Sequence, residues 1–180
     1  MTALAGTRAW VADVVRSGLG TPEERFALVV EAIANDHPTL DADATATAWI
    51  AEVAAAWRDE AAGWPEVTDH DRLERAFAAL EAAEVAVLQG CPDHWSARDE
   101  LSRRVLRGVA WFTAPDVWHA IDEGMLEVNL WHATTANAAP GDQLLDEALA
   151  AFHQAGLDAK FDEGRIEVSA YWQRRPTVST

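Results

Sequence analysis

The sequence predicts an α+β protein in which a helical N-terminal part precedes a mainly antiparallel sheet of four or five strands. Apolar residues repeat with helical spacing between residues 21 and 83. After Glu84 they fall instead in short extended runs that are separated by helical segments. Two of these runs alternate between apolar and polar residues, which is typical of antiparallel sheets with one packed and one wetter face. We therefore expect the helices to lie on one face of the sheet.

The first helix of the N-terminal part is predicted to begin after Thr21. Pro22 suits a first helical turn, and Glu23 and Glu24 place negative charge where a helix N-terminus favours it. The helix should end near Asp36, ahead of a His-Pro pair.

Two further helices follow in this part of the chain. The second is expected to begin at Asp41 or Asp43 and to end near Gly63, because the residue before Pro65 resists the helical conformation. The third begins after Thr68, whose hydroxyl can accept a hydrogen bond from the first turn.

The C-terminal part is predicted to alternate strands with helices. The strands are expected at residues 85–89, 107–113, 125–132, 160–162 and 165–172. The helices are expected at residues 93–106, 114–123 and 141–154. We therefore divide the chain into a helical subdomain, residues 1–84, and a sheet subdomain, residues 85–180, and expect the two to form one compact unit.

Composition limits the classes of function. The 180 residues include 30 acidic and 14 basic side chains, so the formal net charge is -16. This charge disfavours nucleic acid and anionic membranes, since both are bound through Lys and Arg. No apolar stretch approaches the roughly 18 residues of a membrane span, and a lone cysteine allows no internal disulfide. We predict a cytoplasmic protein without a cofactor that binds neither nucleic acid nor membrane.

Three segments carry a resemblance to a known family. They are TDHDRLERAFAALEA (68–82), RGVAWFTAPDVWHAIDEGMLEVNLWHA (107–133) and GRIEVSAYWQRR (164–175). In order and spacing they resemble an uncharacterised, mostly actinobacterial family known as domain of unknown function 6891. The resemblance implies no activity. Members of that family carry several cysteines in a loop after the strand near residue 88, whereas here the loop is GCPDHW. A thiolate-metal site is therefore not expected in this chain.

The segment CPDHW, residues 91–95, holds the most reactive side chains. A thiol at a helix entrance, with His94 three residues on, can have a lowered pKa and act as a nucleophile. Alternatively, Cys91 packs at the end of a strand and Asp93 caps the following helix. We prefer this structural interpretation, because the sequence identifies neither a base beside the sulfur nor an oxyanion site. Cys91 and His94 remain the catalytic candidates.

A metal site would need paired ligands at short spacing. Only Cys91 and His94 form such a pair, while Asp116, His119 and His132 stand alone in the sequence. We therefore predict no metal.

Arg103, Arg104 and Arg107 form a concentration of basic residues. Arg103 and Arg107 lie one helical turn apart, so the cluster is a candidate site for phosphate or carboxylate. Asp99 and Glu100 lie beside it. We prefer the interpretation that these residues form a solvated helix with internal salt bridges.

The alternating strands place polar and aromatic side chains together on the wetter face of the sheet. These residues are Glu127, Asn129, Trp131, Glu167, Ser169 and Tyr171. Trp and Tyr are enriched at interaction hot spots, so this face is a candidate protein-binding surface. Two interpretations remain open at this stage, since the N-terminal helices would instead bury the same face.

Three hypotheses for function follow. The first is a non-catalytic protein-interaction or inhibitor-like module whose partner has a basic or mixed surface, since an acidic field accelerates such association. The second is a small enzyme centred on Cys91 and His94 that acts on an anionic substrate. The third is a structural protein whose helical half dimerises.

Overall fold

The computed structural model describes residues 3–176, which form two compact units. The helical unit contains residues 3–65 and 174–176, and the sheet unit contains residues 66–173. The predicted α+β class is confirmed, with helices α1–α3 preceding a five-stranded sheet. The predicted subdomain boundary after residue 84 stays a prediction. None of the helices within residues 3–176 combines the length and apolar character needed to cross a bilayer.

The helical unit consists of α1 (Ala3–Ser17), α2 (Pro22–Asp36) and α3 (Ala42–Ala61). The predicted start of α2 is confirmed: the Thr21 hydroxyl accepts a hydrogen bond from the Glu24 backbone, and the Glu24 carboxylate accepts one from the Thr21 backbone. This reciprocal pair is a capping box. The helix α1 was not among the predicted elements.

Ion pairs show that α1 and α3 run in the same direction. Arg8 of α1 pairs with Glu52 of α3, and Arg16 pairs with Glu60. Each pair joins residues 44 positions apart in sequence, so the contacts advance along both helices together. The C-termini of α1 and α3 therefore lie at one end of the unit. Since a short turn joins α1 to α2, the N-terminus of α2 lies at that end as well.

The sheet unit contains four helices and five strands among its described residues. In chain order they are α4 (Asp69–Ala82), β1 (Val85–Leu88), α5 (His94–Arg103), β2 (Gly108–Trp111), α6 (Ala114–Asp122), β3 (Met125–His132), α7 (Gln143–Gln154), β4 (Asp158–Asp162) and β5 (Arg165–Ser169). The strand order is β1-β2-β3-β5-β4. β1 and β2 are parallel and the other neighbouring pairs are antiparallel.

The two faces of the sheet are covered differently. On the first face, Leu126, Val128 and Leu130 of β3 are buried. The helices α4 and α7 pack against each other and contact β1 and β4 respectively, and Leu144 of α7 lies close to Gly108 of β2 on this face. On the second face, α5 packs over β1 and β2 and closes a small apolar cluster. Its members are Ala86, Cys91, Ala97, Val109 and Trp111. The β4 and β5 half of this second face carries mainly charged side chains, including two ion pairs.

Gly108 provides a test of this packing. A methyl group on its Cα would lie 2.4 Å from the Trp131 carbonyl oxygen and 3.0 Å from the Leu144 side chain. Gly108→Ala should therefore lower the free energy of unfolding by about 2–3 kcal/mol, the usual cost of overpacking a core. Thermal unfolding followed by circular dichroism would measure the change.

Gly6→Ala is the control for this prediction. Apart from the neighbouring residues and backbone of its own helix, no atom lies within 4 Å of a methyl group placed on Gly6, which sits inside α1. Alanine favours a helix over glycine, so this variant should be as stable as the wild type or more stable. Equal melting temperatures for both variants would contradict the packing described for Gly108.

Candidate functional site

A cavity of about 510 Å³ lies at the end of the helical unit where α1 and α3 terminate. The end of α1, the first turn of α2, the second half of α3 and residues 174–176 contribute its walls. Four arginines line it, namely Arg25, Arg58, Arg174 and Arg175. Arg58 and Arg175 are exposed, whereas Arg25 and Arg174 are half-buried. We refer to this feature as the arginine cavity.

The positive charge of the arginine cavity is not balanced by acidic residues in its walls. None of its twelve lining residues is Asp or Glu, although acids outnumber bases by 30 to 14 in the chain. The helical unit contains two other arginines, Arg8 and Arg16, and both pair with glutamates. Within residues 3–176, none of the four cavity arginines forms an ion pair.

Three of the cavity arginines instead donate hydrogen bonds to backbone carbonyl groups. Arg25 donates to the carbonyls of residues 19 and 20, at 3.1 and 2.7 Å. Arg174 donates to those of residues 17 and 18, where α1 ends. Arg175 donates to the carbonyl of residue 61, where α3 ends, and to that of residue 65, beyond that end. Carbonyl groups at a helix C-terminus lack partners within the helix, so these contacts satisfy the backbone. They leave the guanidinium groups without an ion-pair partner among residues 3–176.

Two of these charges also repel each other. Partial burial is the main cause that lowers the pKa of Arg25, and the nearby positive charge of Arg174 is the next. Glu23 and Glu24 act in the opposite direction on the pKa of Arg25, but neither lines the cavity. An anion inside the cavity would relieve this repulsion.

Gly18 allows Arg174 to reach its position. The φ angle of Gly18 is 62°, in the left-handed region that glycine adopts readily. A methyl group on its Cα would lie 3.0–3.1 Å from the end of the Arg174 side chain. Glycine at the end of α1 therefore permits both the turn and the close approach of the arginine.

The arginine cavity also has an apolar wall. Val15 of α1 contributes to it, together with Ile50, Ala54 and Trp57 of α3. Trp57 is buried, and its ring packs edge-on against Trp64 with the centroids 6.4 Å apart. The site thus combines guanidinium groups with aliphatic and aromatic surface.

The arginines singled out by the sequence analysis lie elsewhere. Arg103 pairs with Asp99 and Arg104 with Glu100 along α5. Arg107 pairs with Glu147 at 2.7 Å. All three are thus paired with acids inside the sheet unit. Their role in binding an anion stays a prediction.

Cys91 and His94 are close in sequence but have different partners. The buried Cys91 thiol donates a hydrogen bond to the Asp93 carbonyl at 3.1 Å. The exposed His94 ring lies beside the Trp95 ring, with centroids 4.6 Å apart. Desolvation raises the pKa of the Cys91 thiol, which works against a thiolate nucleophile.

The predicted protein-binding residues lie along the second face of the sheet. Trp131 is half-buried at the edge of the cluster under α5, where its ring meets Trp111 at 5.2 Å. Asn129 donates to the carbonyl of residue 111.

The other predicted residues of this face lie toward β4 and β5. Glu127 pairs with Arg165, and Glu167 pairs with Lys160. Ser169 and Tyr171 are exposed. The Tyr171 ring lies over Gly124, where a Cβ atom would come within 2.7–2.9 Å of it. Tyr171 is thus held in place while 49% of its surface stays accessible.

The histidines considered as metal ligands are dispersed. His132 forms a 2.9 Å contact with Asp142 that fixes the loop before α7. Within residues 3–176, no three His, Cys, Asp or Glu side chains group together in a way that could hold a metal ion. The absence of a metal stays a prediction.

Sequence reasoning missed the arginine cavity because its residues are distant along the chain. Arg25 and Arg58 are isolated basic residues in acidic helices, and no motif connects them. The Arg174-Arg175 pair was the one local signal, since adjacent basic residues stand out in so acidic a chain.

Comparison with known proteins identifies a family but no activity. The family model described as domain of unknown function (DUF6891) matches residues 2–176. No curated protein and no solved structure shows significant similarity to the chain.

The raised pKa of Cys91 predicts a slowly reacting thiol. The thiolate is the reactive form, and burial shifts its formation above the ordinary thiol pKa of 9.0. The rate of alkylation by iodoacetamide should therefore still be increasing at pH 9 in the folded protein. It should be lower at every pH than in the chain unfolded by guanidinium. A rate that levels off near pH 7 would contradict this prediction and favour a catalytic thiolate.

Proposed function

Since the chain belongs to the DUF6891 family, whose description states no activity, we propose a function from the arginine cavity: the protein is a non-catalytic binding module for a small anionic molecule. The observation that carries the proposal is a set of four guanidinium groups around one cavity that form no ion pair with an acidic residue in the described part of the chain. Arginine binds phosphate and carboxylate through paired N–H groups, and such charge-assisted bonds are stronger than neutral ones.

The backbone contacts of the arginines leave donors free for a ligand. Arg25 and Arg174 each use one terminal nitrogen for the carbonyl groups. A guanidinium has five N–H groups, so each keeps three others. Arg58 has no hydrogen-bond partner within the described residues, and all five of its N–H groups are available. The carbonyl contacts hold the half-buried arginines in place before a ligand arrives, which lowers the entropic cost of binding.

The enzyme hypothesis has less support from the geometry. It requires an ionised Cys91, whereas burial raises the pKa of this thiol and His94 packs against Trp95. The arginine cavity itself offers no nucleophile or general base, since its lining residues are arginine, glycine and apolar residues. Binding without catalysis is therefore the simpler proposal.

A second candidate function, contact with a basic or mixed protein surface, rests on the sheet unit. Residues 66–173 contain 20 acidic and 8 basic side chains, which gives this unit a net charge of -12. Tyr171 offers an anchored and accessible aromatic ring at the edge of the acidic face. Aromatic residues in such positions often dominate the energy of protein association.

Anion binding can be measured directly with inorganic phosphate. In a titration followed by NMR, phosphate should shift the backbone signals of Gly18, Arg25, Arg58 and Arg174 and the indole signal of Trp57. Arg58→Ala should weaken binding about tenfold, since a hydrogen bond to a charged group contributes roughly 1.5–3 kcal/mol and this side chain is exposed. Binding should also weaken as salt is added.

Arg16→Ala is the matched control for Arg58→Ala. It removes one positive charge from the same helical unit but from a residue that pairs with Glu60 outside the cavity. Its affinity for phosphate should equal that of the wild type within about twofold. Equal weakening in both variants would mean that net charge, rather than the cavity, governs the response.

Protein contact through the sheet unit is tested by Tyr171→Ala. For a partner isolated by affinity capture, this variant should bind at least about tenfold more weakly, as expected on losing a hot-spot aromatic. Trp95→Ala, which removes an exposed aromatic from α5, should bind as the wild type does. Surface plasmon resonance would measure both, and an unchanged affinity for Tyr171→Ala would exclude this surface.

A further inference from the structure

The arginine cavity changes in polarity along α3. Ile50, Ala54, Trp57 and Arg58 all line it, and their spacing places them on one face of the helix. Arg58 lies near the C-terminus of α3, whereas Ile50 lies two turns earlier. At 1.5 Å per residue, about 12 Å of helix separates them. The charged side chains are therefore concentrated at the end of the unit, and the apolar wall extends inward from them.

Along α1, the cavity wall also changes from charged surroundings at the helix end to an apolar residue one turn earlier. Gly18, which contacts Arg174, lies just beyond the end of α1, and the apolar residue Val15 lies one turn deeper. Because α1 and α3 run in the same direction, Val15 and Ile50 both lie inward from their helix ends. The cavity thus has a charged rim, formed by its four arginines, and an apolar wall inward of that rim, formed by Val15, Ile50 and Ala54.

From this gradient we infer that the ligand is an amphiphilic phosphate monoester, whose phosphate lies among the arginines and whose apolar group extends along α3 toward Ile50. The inference rests on the proposed anion-binding function and specifies its ligand class. A cavity of about 510 Å³ is far larger than a phosphate ion needs and falls in the range for small organic ligands.

Phosphate matches the rim better than carboxylate does. A phosphate monoester carries up to two negative charges at neutral pH and three oxygens that accept strong hydrogen bonds. Four guanidinium groups offer more positive charge and more donors than one carboxylate can use. Arg25 and Arg174, whose charges repel each other, would both have a partner in a dianion.

A series of alkyl phosphates tests this inference. Affinities for ethyl, butyl and hexyl phosphate would be measured by calorimetry below their micelle-forming concentrations. Each fully buried methylene contributes up to about a fourfold gain, and hexyl phosphate should bind at least tenfold more tightly than ethyl phosphate. It should also bind more tightly than hexanoate, and hexylammonium should not compete with it.

Substitutions in α3 locate the apolar group. Ile50→Ser should weaken hexyl phosphate binding about fivefold and leave ethyl phosphate binding unchanged. Val53→Ser is the matched control, because Val53 lies on the same helix and does not line the cavity. It should change neither affinity. The ligand series with the unmodified chain remains decisive if a variant does not fold.

The outcomes separate the inference from the proposed function. If all alkyl phosphates bind with the affinity of inorganic phosphate, the amphiphilic ligand is excluded and the anion site stands. If hexanoate binds as tightly as hexyl phosphate, the assignment of phosphate is wrong. If neither inorganic phosphate nor any alkyl phosphate perturbs the arginine cavity, both the inference and the proposed function are overturned.

Discussion

Two parallel helices, α1 and α3, end at the same end of the helical unit. The backbone carbonyl groups at their C-termini have no partners within the helices, and they attract the arginine side chains that donate hydrogen bonds to them. An α-helix leaves its last carbonyls without internal partners, and its dipole adds partial negative charge at that end. α1 and α3 therefore present two such ends together. Arginine satisfies this need with several donors and a full positive charge. Arg174 caps the end of α1 and Arg175 the end of α3. The positions of Arg174 and Arg175 at the cavity therefore follow from this backbone requirement.

The hydrogen bonds to the helix ends do not neutralise the positive charge of the arginines. Each helix end carries about half of a negative charge, so two ends offset roughly one of the four guanidinium charges. The N-terminus of α2 lies at the same end and contributes partial positive charge of its own. Glu24 is engaged with the Thr21 backbone, and Glu60 with Arg16. An excess of positive charge thus persists locally in a chain whose total is -16.

Features set by neighbouring residues were predictable from the sequence, whereas features set by distant pairing were not. The caps at Thr21, Thr68 and Asp93 were identified because each depends on a side chain and a backbone group three residues apart. The strand β3 was placed correctly because its alternation is local. The helix α1 was missed, since a glycine inside it weakens its helical pattern. The direction in which β1 pairs with β2 and the arginine cavity both depend on contacts between distant residues, which no local pattern encodes.

The whole chain is acidic, whereas the cavity is lined by arginines. This difference in charge affects which anions can reach the cavity. Charges on the surface act over a Debye length of about 8 Å at physiological ionic strength, so an approaching polymer meets a mainly acidic molecule. Under the proposed function, that field would repel a nucleic acid or an anionic membrane, and either would be too large to enter the cavity. The proposed small anion would enter the cavity and contact the guanidinium groups directly, where screening is weaker. The net charge of the chain thus disfavours large polyanions, whereas the charge of the cavity favours an anion, so the two together select an anion small enough to enter.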